Sequence, residues 1–514
     1  MRVGVDVGGT NTDAVVMEDR RVLGTVKTPT TPDVTTGIVS ALRSLIDDGV
    51  LVPSQVSGIM IGTTHFTNAV VEAKHLAATA AVRIGLPATT AVLPLVDWPD
   101  RLRRAIGNHV YLCHGGHEFD GRPSGPLNYE ELKRVAADAA SKGIRSMAIT
   151  AVFSPVNGEV EVEAAAVIRS EVPDMVVSLS QKIGRIGLLE RENATIINAC
   201  LRPLAGRIVD AFQVAISKLA IDAPLYISQN DGTLMDAEFA KHYPVATFAS
   251  GPTNSMRGAA FLSELTDAAV VDVGGTTADI GMLVNGFPRE ASVTVHIGGV
   301  RTNFRMPDVL SLGIGGGSVV RGGTDDLTIG PDSVGYELSS RALVFGGDTL
   351  TATDVAVAAG MVDIGDASLV KSLDRDYVRA AVDSIQRAVS DGVDRMKTSA
   401  EPVPVIVVGG GGVLVTDEIA GTSGVVRPEH FSVANAIGAA IAQVGGETDR
   451  IFSLSDIRHE EAVEQAKAQA RERAIDAGAD PSSVRIVEVE EVPLAYLPSN
   501  AVRVRVKAVG DLRV

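Results

Sequence analysis

The segment DVGGTNTDAVV starts at Asp6, and DVGGTTADIGM starts at Asp272. The same five residues, Asp-Val-Gly-Gly-Thr, therefore recur 266 positions apart. That distance is far beyond a solenoid period. It suits two copies of one unit facing each other, each built as strand, glycine turn, strand. In the first copy Val3, Val5 and Val7 alternate onto one face before Gly8-Gly9. A second strand is predicted from Thr12 to Met17 and a third from Val22 to Lys27. Thr31-Pro32-Asp33 reads as the start of a helix that runs to about Asp48. In the second copy a strand over 268–273 is followed by one over 277–284. Asn285-Gly286 supplies a tight hairpin turn, and a return strand is predicted over 287–295.

Between and after the copies the pattern is α/β. Helices are predicted over 129–142, 159–171, 187–219 and 374–397, and strands over 146–153, 175–178, 224–228 and 402–412. A helix of small residues spans 433–444, and the tail combines a charged helix near 459–477 with two strand-like segments. The expected division is a first half over 1–185, a second half over 186–445 and a small α/β appendix over 446–514. At 514 residues more than one domain is expected. The net charge of −17 disfavours nucleic acid and anionic membrane as partners. No apolar run reaches bilayer length, the start shows no leader pattern, and only Cys113 and Cys200 occur. These features predict a cytoplasmic setting with no disulfide framework.

A strand that ends in Asp and turns through Gly-Gly-Thr has specific chemistry. Glycines let backbone N–H groups approach phosphate oxygens closely, and Thr10 and Thr276 add hydroxyl donors. Asp6 and Asp272 stand at strand ends, where a carboxylate can hold Mg²⁺ through its waters. A third glycine cluster, Gly409, Gly410, Gly411 and Gly412, follows another apolar strand and could lie flat against a purine. A lone Gly-Gly-Thr is usually an ordinary turn. Three such features in this order point to a nucleotide site.

The ordered set resembles the superfamily of sugar kinases, actin and heat-shock-type ATPases, in which two ribonuclease-H-like domains clamp Mg-ATP. The resemblance implies a first phosphate loop of Gly8, Gly9, Thr10 and Asn11, and a second of Gly274, Gly275, Thr276 and Thr277. It makes Gly409–Gly412 the adenosine contact. It also makes NATIINA (193–199) and ANAIGAA (434–440) the two crossing helices. The strings IGTTHFTNAVVE, FSPVNGEVEVEAA, RENATIINACLRP, SQNDGTLMDAEFAKHYPVATFASGPTNSMRGAA and LGIGGGSV narrow this further. Together they resemble the hydantoinase/oxoprolinase family over residues 1 to about 445. The sequence departs from it at His65 and at PTNSMRGA, which replaces a plainer Gly/Ala run.

That resemblance implies ATP-dependent hydrolysis of a hydantoin- or oxoproline-like cyclic amide, with phosphorylation of the carbonyl oxygen and a second hydantoinase-type subunit as partner. Asp231 in QNDGT is the acid expected near the acceptor, with an Asx turn as its equal alternative. Asp13 and Asp279 are expected to bond loop amides. Thr63, Thr64 and Asn68 are candidates for binding the acceptor or for capping a helix. His109, Cys113, His114, His117 and Asp120 lie close in sequence, but their spacing fits no standard zinc site, and a surface loop is expected, with contact to substrate across the cleft as a further alternative. A small-molecule kinase of the same fold and an ATP-driven activator of a protein partner are the competing readings. Homo-oligomerisation is compatible with all three.

Overall fold

The computed structural model describes every residue except Gly9, 31–33, Asp120, 292–293, Arg305, Asp456, 495–499 and Val514. Gly9, the helix-start signal at 31–33 and Asp120 therefore lie outside the described residues. The first hairpin forms from Arg2–Val7 and Asn11–Glu18, with Arg21–Pro29 completing a meander. Gly58–Thr63 pairs parallel to the first strand, and Leu225–Ser228 pairs parallel to Gly58–Thr63. The second copy repeats this order. Ala268–Val273 pairs antiparallel with Ala278–Val284 and parallel with Val403–Val408, which pairs in turn with Thr422–Val426. The fold is α/β, with a ribonuclease-H-like sheet built twice.

The duplication holds to the residue. Asp6 stands opposite Asp13 across the first hairpin, and Asp272 stands opposite Asp279 across the second. Gly8 N donates to Asn11 O at 3.0 Å, and Gly274 N to Thr277 O at 2.8 Å. All four residues of the second set are displaced by 266 from the first. Asn285 and Gly286 both adopt positive φ (53° and 77°), as the tight hairpin requires. The return strand, expected over 287–295, covers only Phe287–Pro288. The chain then leaves the sheet and comes back as Val309–Leu312, which pairs along Ala278–Gly281. The excursion carries a small hairpin, Val295–Ile297 with Val300–Thr302. Its Ile297 and Val300 pack with Phe66 and Trp98 of the first half and with Ile196.

Each central strand is buried on both faces, which explains its unbroken valine-rich sequence. Val3, Val5 and Val7 pack under Ile38, Leu42 and Leu45 of the helix Val34–Asp47. On the other face Val15 and Met17 meet Ala436, Ile437 and Ala440 of the helix Ala434–Ile441. That helix crosses Ser250–Ser263 in direct backbone contact. A methyl group on Gly438 would collide with the carbonyl of Asn254, and one on Gly258 with the carbonyl of Ala434. The crossing partner is therefore Ser250–Ser263 and not 193–199. NATIINA belongs to the long helix Leu188–Ser217, where Ala194, Ile196 and Ile197 fill a core shared with Phe66 and Trp98.

Residues 79–179 form a parallel four-stranded sheet of their own, ordered His109–His114, Thr79–Leu86, Ser146–Ala151, Val176–Leu179. The expected histidine loop thus begins as a strand, His109–His114. The tail also joins a larger element. Gln443–Ser453, Ala501–Gly510 and Arg485–Leu494 extend the first sheet beyond Thr233–Asp236 to nine strands, covered by the helix His459–Asp476. Sheet membership thus crosses positions 185 and 445, because 225–236 and 443–453 are strands of the first sheet.

Candidate nucleotide site between the repeated turns

The two glycine turns abut. A methyl group on Gly275 would lie 2.8 Å from Thr10 Oγ1, so the second turn approaches the first through a bare α-carbon. Behind the turns four carboxylates gather. Asp6 and Asp13 are buried, at 4% and 3% exposure. Asn435 Nδ2 donates to Asp6 Oδ2 and to Asp13 Oδ2, each at 3.0 Å. Lys27 Nζ lies 2.6 Å from Asp13 Oδ1, and Ser311 Oγ donates to Asp279 Oδ1 at 2.5 Å. Asp13 and Asp279 thus bond side chains and not the loop amides expected.

Burial dominates the electrostatics. It pushes Asp6 up to about 6, helped by Asp13 and opposed by Asn435, Asn254 and Lys27. It pushes Asp272 up to about 7, opposed by Ser255 and Lys27 and reinforced by Asp279 and Asp6. Asp279 is raised for the same reason, against Ser311. Carboxylates that resist ionisation side by side lack positive charge. Asp6 Oδ1 in addition has no hydrogen-bond partner among the described residues. Oxygen-only donors, a bare buried carboxylate oxygen and excess negative charge fit a hard divalent cation.

The glycine cluster 409–412 leans on the second turn. A methyl group on Gly409 would collide with Asp272 Oδ1, and Gly411 N donates to Val273 O at 2.7 Å. Lys27 Nζ would lie 3.8 Å from a methyl group on Gly410, so this cation of the first half reaches the second. Gly315–Gly317 cover the second turn from another side. Gly316 N donates to Gly274 O at 3.0 Å and Gly317 N to Gly275 O at 2.6 Å. Thr63 ends the strand beside Asp6, in register with Val7. Its Oγ1 lies 2.7 Å from His65 Nδ1 and accepts from His65 N, while Asn68 Nδ2 reaches Thr64 Oγ1 at 3.5 Å. Thr64 is the N-cap residue of His65–Glu72 but makes no side-chain capping bond.

Asp231 stands elsewhere. It lines a cavity of about 930 Å³ with Gln229, Arg185, Glu447 and Arg473, which includes neither Asp6 nor Asp272. Thr233 N and Oγ1 donate to its Oδ1 at 3.0 and 2.6 Å, and Lys507 Nζ lies 2.8 Å from its Oδ2. Burial opposes its charge, but Lys507 and Thr233 more than offset this and hold it at about 2. A carboxylate so strongly ionised and so fully bonded is a poor proton acceptor at neutral pH, and its bonds to Thr233 are those of an Asx turn. Around His109–His117, Cys113 faces the core, burial lowers His117, and His114 pairs with Glu131 at 3.2 Å. Among the described residues no three His, Cys, Asp or Glu side chains are grouped to hold a metal ion directly, neither there nor at the four aspartates, where a cation would be held through its waters.

Lys27, Asn435, Ser311 and Asn254 are site residues that the motifs did not name. The one polar side chain in the small-residue string ANAIGAA was the available signal for Asn435. Lys27 is found by counting the meander, because it stands opposite Asp13.

Residues 2–172 match the model of the hydantoinase/oxoprolinase N-terminal region, and residues 191–369 match the hydantoinase/oxoprolinase model, together more than half of the chain. The chain belongs to the hydantoinase/oxoprolinase family. Caprolactamase subunit alpha of Pseudomonas jessenii is 26% identical over 484 residues, covering 85% of this chain and 65% of that one. The acetophenone carboxylase gamma subunit of Aromatoleum aromaticum is 27% identical over 402 residues, covering 70% and 53%. The chain thus spans less than two thirds of these family members. The crystal structure of the ATP-dependent caprolactamase from Pseudomonas jessenii shares the fold, with a TM-score of 0.79, 20% identity, and coverage of 100% of this chain and 88% of that one.

Proposed function

We propose that this family member is the nucleotide-handling subunit of an ATP-dependent hydrolase that opens a cyclic amide of the hydantoin, oxoproline or lactam class. The observation that carries this reading is the pair of Asp-Val-Gly-Gly-Thr hairpins, matched in register and abutting through Thr10 and Gly275. In this reading Gly8, Gly9, Thr10 and Asn11 hold the nucleotide phosphates from one side. Gly274, Gly275, Thr276 and Thr277 hold them from the other. Gly410 and its neighbours face the adenosine. Asp6 and Asp272 would hold Mg²⁺ through its waters, and the ion supplies charge neutralisation at the transferring phosphate. Lys27 adds a second positive charge between the halves. Asn435 keeps Asp6 and Asp13 aligned from the crossing helix.

The chemical need for ATP follows from the substrate. An amide carbonyl is a poor electrophile and its nitrogen a poor leaving group. Moving the γ-phosphoryl group to the carbonyl oxygen gives an imidate phosphate that water can open, releasing inorganic phosphate and the ring-opened acid. Thr63 and Thr64, at the end of the strand adjoining Asp6, are suited to meet the acceptor. The name of the caprolactamase relative, a subunit alpha, supports a separately encoded partner.

The test is phosphate release from Mg-ATP by the purified chain, alone and with a co-expressed partner subunit. Caprolactam, 5-oxoproline and hydantoin would be added in turn and ring opening followed in the same tubes. One ring opened per phosphate released supports the reading. Phosphate release driven by a ketone with bicarbonate, and by no cyclic amide, would replace it with carboxylation. A stable phosphorylated product would replace it with a kinase.

A further inference from the structure

The helix Ser250–Ser263 carries the stretch Thr253-Asn254-Ser255 where plainer small residues are expected. Asn254 is fully buried, at 0% exposure, yet neither its Nδ2 nor its Oδ1 has a hydrogen-bond partner among the described residues. Burying both ends of an amide unbonded is costly, on the order of 1–3 kcal/mol per group. Such a group in a native protein points to a water or ion that completes it.

What stands beside Asn254 identifies the complement. Gly62 has no side chain at the one place where a methyl group would collide with Asp6 Oδ1 and lie 2.5 Å from Asn254 Nδ2. Asp6 Oδ1 has only Asn254 Nδ2 beside it, in no well-formed hydrogen bond, because Asn435 takes Oδ2. Asp6 Oδ1 and Asn254 Nδ2 thus meet over a glycine, with Asn254 Oδ1 left unbonded on the same side chain. The backbone carbonyl of Asn254 abuts the bare α-carbon of Gly438 on the crossing helix, which fixes where the residue stands. The next residue, Ser255, serves Asp272 of the other half.

We propose that Asn254 is a positioning residue of the divalent-cation site, its amide and Asp6 Oδ1 together holding one water of the cation's shell. The amide Nδ2 donates towards Asp6, and its Oδ1 accepts from that water. This rests on the nucleotide-site reading above and adds to it a residue that no phosphate motif contains. Small residues at this position would leave Asp6 Oδ1 alone, so the polar stretch makes the cation site tighter in this chain.

Mn²⁺ binding to the full chain with ADP, read from the electron paramagnetic resonance signal of free Mn²⁺, tests it. ADP affinity in EDTA would be measured alongside. Asn254→Ala is expected to weaken Mn²⁺ by about tenfold or more, the usual loss when a partner of a metal's ligand is removed. Its metal-free ADP affinity should stay within twofold of the parent. Asn254→Asp is expected to keep or tighten Mn²⁺ binding, because a carboxylate is a better acceptor for the shell. Equal Mn²⁺ affinity in the parent and Asn254→Ala overturns the proposal while leaving the nucleotide site standing. Loss of Mn²⁺ binding in Asn254→Asp overturns it too, since that marks a packing role only, and this variant decides the matter should Asn254→Ala fail to fold. A parent chain that binds ADP with or without Mn²⁺ to the same extent overturns both readings.

Discussion

Replacing Lys507 by Met should destabilise the protein and change the sign of one contribution to its acid sensitivity. Lys507 is 6% exposed at its side chain and Asp231 is 16% exposed, so screening by solvent is slight. Asp231 is held at about 2 against an ordinary 3.8. At 1.36 kcal/mol per pKa unit, that shift is worth about 2 kcal/mol of stability at neutral pH. A depressed carboxylate contributes fully above its unfolded pKa, and its contribution is lost as the pH falls from about 4 towards 2. Without Lys507, burial prevails over the Thr233 donors, and the carboxyl titrates above its unfolded value, so folding disfavours its charge as pH rises. The expected loss in Lys507→Met is therefore about 3 kcal/mol at pH 7, in the range for breaking a buried pair, and it narrows below pH 4. Urea unfolding followed by circular dichroism at pH 7, 5, 4 and 3 would measure it. Adding Asp231→Asn to Lys507→Met should recover most of the loss, since no buried charge is then left unpaired. A loss below about 0.5 kcal/mol at pH 7, or a gap as wide at pH 3 as at pH 7, would refute the electrostatic argument.

Gly438→Ala should cost about 2–3 kcal/mol, because the added methyl meets a backbone carbonyl and not a side chain that can turn away; an unchanged urea midpoint would contradict the helix crossing. Lys27→Met should weaken ATP roughly tenfold more than it weakens ADP, the loss of one charge-assisted contact of about 1.5 kcal/mol. Calorimetry showing the same loss for both nucleotides would remove Lys27 from the terminal phosphate. Cys113 and Cys200 are buried thiols pushed up to about 12, chiefly by burial, so neither should react with Ellman's reagent at pH 8 until urea is added. Rapid labelling of the native chain would show that one of them opens to solvent. Trp98 is the single tryptophan, 4% exposed, with its Nε1 donating to Asn193 Oδ1 at 2.7 Å. Its emission should be blue-shifted and should move to the red in Val300→Asp, whose hairpin packs beside it; an unmoved spectrum would mean the hairpin does not seal that core.

What the sequence revealed and what it hid divide along a physical line. The duplicated hairpins were legible because strand alternation, glycine turns and Asn285-Gly286 are local signals. The helices Tyr129–Ser141, Glu159–Glu171, Arg375–Met396 and His459–Asp476 followed from periodicity and caps. Partners across long separations were not legible. Small residues in 193–199 announce close packing but not against what, and the helix paired with 434–441 had to be found in space. The tail strands carry alternation enough to be strands, yet nothing local says that Gln443–Ser453 docks beside Thr233–Asp236. Asp231 could be read equally as an acid near the acceptor or as an Asx turn, because Asp-Gly in a turn is ambiguous and its neutralising Lys507 lies 276 residues away.

The crossing of Ala434–Ile441 with Ser250–Ser263 reaches beyond the cleft. Ser250–Ser263 precedes the second copy in the chain but packs beneath the second sheet, and Ala434–Ile441 follows the second copy but packs on the first. Neither copy is therefore a part that can be cut out. A fragment stopping before 434 leaves Val15 and Met17 uncovered, and one starting after 263 leaves Met256 and Ala259 missing from beneath Val270 and Ile406. During synthesis the first sheet waits, with one apolar face open, until almost the whole second copy has been made. Two repeats in sequence, the protein matures as one, and a nick between the copies should leave two pieces still held together by Ala434–Ile441 on Val15 and Met17.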